Sequence, residues 1–223
     1  MKKRSVAALI IMMLISACGS LNSPATPAIA PTVVATATEI PPTPTLVPPT
    51  PPASLGTIAL DFVALLCDAQ WMNGGQHLTA CPPANSDHSG GYATVVDPAS
   101  EGVPANTPVI LTYAGTYSPA LFLRYPSFTV HAGDRFRATL RCQVNAPCDI
   151  EYALEYYDAV GKYHSPFMSW AYRAGDPPIN VDTDLSMLAG QTVDFVLTLR
   201  AQNDTPQQDY SLWIAPHIYR PNP

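Results

Sequence analysis

The stretch Arg135-Phe136-Arg137-Ala138-Thr139-Leu140-Arg141-Cys142 puts Phe136, Ala138, Leu140 and Cys142 on one phase of a two-residue alternation and Arg135, Arg137, Thr139 and Arg141 on the other. Side chains along a strand point alternately to its two faces, so this pattern reads as a half-buried β-strand. Downstream, Ile150, Tyr152, Leu154 and Tyr156 alternate with Glu151, Ala153 and Glu155, and Val193, Phe195, Leu197 and Leu199 alternate with Asp194, Thr198 and Arg200. Shorter candidate strands are Ile58 to Leu66, Tyr92 to Val96, Val109 to Tyr113, Ala120 to Leu123, Ser127 to Val130, Met168 to Tyr172 and Tyr210 to Ile214. The one helix-like signal is a turn over Asp184 to Ala189, with Asp184 as N-cap and Gly190 as a left-handed stop. Many short strands, frequent Gly/Pro/Asn/Asp punctuation and almost no helix predict an all-β fold, an antiparallel β-sandwich of jelly-roll type.

Upstream of this region the composition changes. Between Gly19 and Gly56 the only charged residue is Glu39, and Pro41, Pro42, Pro44, Pro48, Pro49, Pro51 and Pro52 are interleaved with Thr, Ala and Val. Proline donates no amide hydrogen and biases the preceding residue toward extended backbone, so this is a disordered Pro/Thr-rich linker of the semi-stiff kind. Still earlier, Lys2, Lys3 and Arg4 precede the apolar run Val6 to Leu14, the charge-then-apolar order of a secretory signal. That run is shorter than the roughly 20 apolar residues of a membrane-spanning helix. Ile15, Ser16, Ala17 and Cys18 resemble the lipobox of bacterial lipoproteins, in which the cysteine takes a diacylglyceryl group and becomes the first mature residue. The resemblance implies a signal peptide over 1–17, a lipidated Cys18 and linker over 18–54, and a folded domain over 55–223. It also implies attachment to the extracytoplasmic face of the cell membrane through the lipid anchor.

Cleavage after Ala17 takes three of the eleven Lys/Arg and none of the seventeen Asp/Glu, which leaves a formal charge of −9. So acidic a body is repelled by nucleic acid and by anionic headgroups, so no nucleic-acid partner is expected and the lipid alone must hold the membrane. With Cys18 assigned to lipid, Cys67, Cys81, Cys142 and Cys148 remain, an even number that reads as disulfides outside the cytoplasm. Four cysteines allow three pairings. Gln143 to Pro147 reads as a hairpin loop between two strands, which makes Cys142 with Cys148 the easiest pair and leaves Cys67 with Cys81. The alternative, zinc held by Cys67, His77, Cys81 and His88, lacks ligand spacing. The five histidines are dispersed, and no metal or other cofactor is expected.

Asp182, Asp184, Leu185, Ser186, Leu188, Ala189, Gly190, Gln191, Val193 and Phe195, followed by Asp209, Trp213, Pro216 and Ile218, resemble the C-terminal third of galactose-binding-like jelly-roll modules. Tyr125, Pro126, Phe128, Val130, Gly133, Asp134 and Phe136 resemble the entry into a central strand of related secreted bacterial modules. The resemblance spans about half of the folded region and implies a carbohydrate-binding-module-like domain. The calcium loop of such modules is not recognisable near residues 58–75, and His217 stands where an arginine is common. Read on their own, Phe195 and Trp213 are core aromatics and Asp134 is a turn residue.

Catalysis needs convergent polar groups, and none stands out. Ser86, Asp87 and His88 are adjacent in a loop and lack a nucleophile elbow. Glu151 and Glu155 share a strand face, which a solvated salt-bridged face opposite Arg135, Arg137 and Arg141 across the hairpin explains. Aromatics make the better candidates: Trp170 and Tyr172 on one strand face, flanked by His164 and Arg173, with Tyr157 and Tyr163 bordering the preceding loop. Aromatic faces beside charged donors suit sugar rings, whose C–H faces stack on π surfaces while their hydroxyls take hydrogen bonds. The competing reading places Trp170 and Tyr172 in the core. The expected function is a surface-tethered, non-enzymatic binding module with a glycan ligand. A structural or assembly component of the cell envelope, partnered by another envelope protein, is the second reading, and an extracytoplasmic hydrolase the third.

Overall fold

The computed structural model describes residues 56–73, 76–78, 81, 89–116, 119–202 and 208–222. The expected signal sequence, Cys18, the expected linker, and Ser86, Asp87 and His88 lie outside the described residues. Thirteen strands make up the described fold: β1 Thr57–Asp61, β2 Gln70–Asn73, β3 Gln76–Leu78, β4 Tyr92–Val95, β5 Val109–Tyr113, β6 Ala120–Arg124, β7 Phe128–Thr129, β8 Arg135–Cys142, β9 Asp149–Tyr157, β10 Tyr163–Arg173, β11 Ile179–Asp184, β12 Thr192–Ala201 and β13 Tyr210–Arg220. They form two antiparallel sheets, a six-stranded one in the order β11-β8-β13-β5-β4 with β1 also on β13, and a seven-stranded one in the order β10-β9-β12-β6-β2-β3 with β7 on β12. The fold is the expected β-sandwich.

The inner faces meet through the residues that the alternation marked as apolar. Phe136, Leu140, Ile150, Tyr152, Leu154, Phe195, Leu197, Leu199 and Trp213 are all buried. The core aromatics contact one another edge to face, Tyr152 against Trp213 at 4.8 Å and Phe62 against Phe136 at 5.7 Å between centroids. Edge-to-face pairs of this kind add about 1 kcal/mol beyond the area they bury. The Tyr152 hydroxyl, on the seven-stranded sheet, donates to the Arg141 carbonyl at 2.6 Å and accepts from the Leu212 amide at 3.2 Å, both on the other sheet. A buried hydroxyl is thus satisfied by tying the layers together.

Several boundaries differ from the sequence reading. The first strand stops at Asp61 because the Asp61 carboxylate accepts from the amides of Val63 and Ala64, at 2.9 and 3.1 Å, and turns the chain. Strands β2, β3 and β11, short or polar, carry too little alternation to be read. Around Asp184 the chain makes a 3-10 turn, Ser186–Leu188, after β11 ends; Asp184 accepts from the Ser186 amide at 2.8 Å, and Gly190 takes φ 80°.

The loop after Cys142 is not a hairpin. Strand β8 pairs with β11 and β13, whereas β9 pairs with β10 and β12, so residues 143–148 carry the chain from one sheet to the other. Cys142 and Cys148 are disulfide-bonded across that passage, and Cys67 is bonded to Cys81. The second bond uses two of the four proposed zinc ligands. The expected partnership of Arg135, Arg137 and Arg141 with Glu151 and Glu155 is therefore lost. Arg135 and Arg137 share Asp182 on β11 instead, and Arg141 donates to the backbone carbonyl of Glu101. Asp134 is more than a turn residue: fully buried, it takes both Nε and Nη2 of Arg220, at 2.7 and 2.8 Å, and pins the end of β13 to the 131–134 turn.

Candidate functional site

Strand β10 decides where the first candidate residues go. Its register sets Met168 opposite Leu154, Trp170 opposite Tyr152 and Tyr172 opposite Ile150. All three partners point into the sandwich, so Trp170 and Tyr172 share a face as expected, but it is the inner one. Trp170 is half-buried and stacks on Phe136 of the opposite sheet at 6.2 Å. Tyr172 is 5% exposed, and its hydroxyl donates to the Asp176 carbonyl at 2.6 Å. They form no exposed shelf. His164 lies parallel on Tyr156 at 4.5 Å with Nε2 3.0 Å from Asp158, whereas Arg173, at the other end of the strand, pairs with Asp149 at 3.1 Å. Nine residues of strand separate His164 from Arg173, on the order of 30 Å at 3.3 Å per residue, so these groups do not converge.

The polar phase of the alternation builds a different site. On the outer face of the seven-stranded sheet, Tyr163 of β10 pairs with Tyr157 of β9, which pairs with Asp194 of β12. The two tyrosine rings stack at 4.8 Å, and the Arg124 guanidinium of β6 lies over the far side of Tyr157 at 4.2 Å. Asp194 fixes that guanidinium through Nε at 2.9 Å and Nη2 at 2.5 Å, while its second oxygen accepts from Ser127 at 2.5 Å. Tyr163, 36% exposed, ends the row: no ring or guanidinium among the described residues covers its other side. A depression of about 460 Å³ is lined by Asp158, Ala159 and Val160, which follow Tyr157 along the chain, and by Gly190, Gln191 and Thr192.

Beside this row lies a buried carboxylate. Glu155 of β9 has no exposed surface, and its two oxygens accept from Ser165, Thr198 and Arg200, each at 2.5 Å, and from the Tyr163 hydroxyl. Burial alone would push its pKa up, but the hydrogen bonds from Ser165, Thr198, Tyr163 and Arg200 outweigh it and hold the carboxyl below the ordinary range. Partial burial of the phenol, together with its hydrogen bond to Glu155 and that group's charge, raises the Tyr163 pKa. Arg200 also reaches Glu151 at 3.1 Å, and its guanidinium lies 5.6 Å from the centre of the Phe122 ring. An ionised carboxylate with four donors has its lone pairs engaged. Glu155 is therefore a structural anchor that fixes Tyr163 and Arg200, not a general base.

The sequence singled out Tyr157 and Tyr163 but not Arg124, Asp194 or Arg200. The in-phase polar residues of β6 and β12 were the available signal. What it lacked was the strand order, which makes β6, β12, β9 and β10 consecutive.

No protein-family model and no curated protein matches the chain. Among solved structures, the carbohydrate-binding module TmCBM61 in complex with β-1,4-galactotriose is similar at a TM-score of 0.45 and 8% identity, over 73% of this chain and 94% of that one. The C-terminal family 22 carbohydrate-binding module of Clostridium thermocellum Xyn10B gives a TM-score of 0.44 and 11% identity, over 76% and 97%. The cleaved adhesin domain of Lys-gingipain from Porphyromonas gingivalis gives 0.41 and 14%, over 70% and 91%. Likeness of this degree carries no function across, and the function of this chain rests on its own residues.

Proposed function

We propose that the chain is a non-enzymatic glycan-binding module that engages its ligand with the outer face of the seven-stranded sheet. The observation that carries this reading is the row Tyr163, Tyr157 and Arg124, three planar groups held in contact across the sheet with Asp194 locking the last of them. Aromatic rings offer π surface to the C–H faces of sugar rings, and the pre-paired charges offer donors and acceptors whose positions cost little further ordering on binding. Saturation of Glu155 by four donors supports a binding role over hydrolysis.

The chain is placed outside the cytoplasm, held at the membrane by lipid on Cys18. The order of Lys2, Lys3, Arg4, the apolar run and Cys18 supports this, as do two disulfides, which persist in an oxidising compartment. The test of the binding role is a glycan array probed with the detergent-solubilised full chain, wild type and Tyr157→Ala. Loss of the ring should weaken binding at least about tenfold, as expected for a central aromatic contact, with a melting temperature lowered by only a few degrees. Binding that survives the substitution unchanged overturns the assignment of the site.

A further inference from the structure

We infer that the ligand of this face is an uncharged glycan, and that the face is built to turn away anionic sugars such as uronates and sulfated residues. The inference rests on the glycan-binding reading and narrows it to a substrate class.

Beside the tyrosine row stand two cations and three carboxylates, Arg124 and Arg200 against Asp194, Glu151 and Glu155; farther along the same face Arg173 is paired with Asp149. The guanidinium groups of Arg124 and Arg200 each already have two of their five N–H groups engaged, and their charge paired, by the protein's own carboxylates. Arg124 gives both Nε and Nη2 to one oxygen of Asp194. Arg200 gives Nη1 to Glu151 and Nη2 to Glu155. Recognition of an anion by arginine relies on the planar fork of N–H donors meeting a carboxylate or sulfate edge to edge. Here the protein's own carboxylates already hold these donors. They are attached to neighbouring strands and partly shielded from water, with 20% of the Asp194 side chain and none of the Glu155 side chain exposed. An incoming anion would meet guanidinium charges that are already paired, and to take a held edge it would have to displace a carboxylate that stays beside it. The face carries a net charge of −1 on these five groups, and Asp158 and Lys162 in the turn at its end balance each other. A sugar hydroxyl meets no such penalty. It donates to the open lone pairs of Asp194 and Glu151 and accepts from the remaining guanidinium N–H groups while every internal ion pair stays intact.

The whole chain is acidic, so a general repulsion must be separated from one located at this face. The full chain in detergent is titrated, at 20 mM and 500 mM salt, with oligosaccharides of one backbone in a neutral, a uronate-bearing and a sulfated form. At low salt the neutral form should bind at least about tenfold more tightly than either anionic form, with the gap narrowing at high salt, where screening is strong beyond a few ångströms. Glu151→Gln, which removes one negative charge from the face, should narrow the low-salt gap about threefold. Asp182→Asn, which removes one from the opposite sheet, should leave it unchanged. Anionic forms that bind as tightly as the neutral form, or better, overturn this inference and leave the glycan-binding role standing. If no glycan of any charge binds, the role falls and this inference with it. If Asp182→Asn narrows the gap as much as Glu151→Gln, the discrimination belongs to the chain's overall charge and not to this face.

Discussion

Replacing Arg200 by methionine removes the only cation that pairs with Glu155 among the described residues, while keeping most of the side-chain volume. Removing one partner of a fully buried ion pair costs about 3–5 kcal/mol. Here a quarter of the Arg200 side chain is exposed, and Glu155 keeps hydroxyl donors on Ser165, Thr198 and Tyr163. We therefore expect a loss of about 3 kcal/mol at pH 7, which for a domain of this size lowers the melting temperature by roughly 6–12 °C. The dependence on pH is the sharper signature. In the wild type the Glu155 pKa lies below its unfolded value of roughly 4.3, so its contribution to stability is present above that pH and is lost as pH falls through the folded pKa. Without Arg200, burial raises the pKa relative to the wild type. Once it exceeds the unfolded value, stability is retained at low pH and lost as pH rises through it. The gap between the two proteins should thus widen from pH 4 to pH 7 in urea unfolding followed by tryptophan fluorescence. Adding Glu155→Gln to the variant should recover at least about half of the loss at pH 7, because the two sites are coupled. A gap below about 1 kcal/mol, or one that does not change with pH, would refute the account of Glu155 as an ionised anchor.

Trp170→Ala should cost about 3 kcal/mol by the same assay, since it removes a large half-buried ring from Phe136, and should leave glycan binding intact; a stable variant with impaired binding would return Trp170 to the site. Peptide mapping of the non-reduced protein should find Cys142 joined to Cys148, Cys67 to Cys81, and no free thiol on any of the four; bound zinc with reduced Cys67 and Cys81 would contradict the structure. Cys18→Ser should abolish labelling by palmitate analogues, and labelling that persists would remove the basis for a lipid anchor.

Strands β8, β9 and β12 were legible to within a residue because their alternation is strict, and the short, wholly buried Val109–Tyr113 is found at the residues expected. By contrast β10 and β13, whose register shifts between His164 and Met168 and between Ile214 and His217, were read over less than half their length. The disulfide pairing was legible too, although for a reason that does not hold. Cys142 and Cys148 meet across the gap between the two sheets and not at the neck of a hairpin. The proposed binding face was legible only in fragments. Period two tells which residues share a face but not whether that face is inner or outer. Trp170 and Tyr172, in phase with each other, fit either side until the register against Tyr152 and Ile150 is known. Arg124, Asp194 and Arg200 each look like ordinary solvent-facing positions until pairing across 70 and 45 residues brings them onto Tyr157 and Glu155. Such information is topological and is absent from any local window.

Thr57 of β1 pairs directly with Arg220 of β13, so the two ends of the described fold lie one strand spacing apart, about 4.8 Å. Both ends sit on the six-stranded sheet, on the other layer from the tyrosine row. The domain is for that reason open to circular permutation. A bridge of about four residues, each spanning at most 3.6 Å, is long enough to join Asn222 to Gly56. New ends could then be cut in the turn between β9 and β10, where Gly161 has open space around it. The permutant would keep every strand pairing but release the chain beside Tyr157 and Tyr163, turning the face proposed to receive a ligand into the one from which a fused partner emerges.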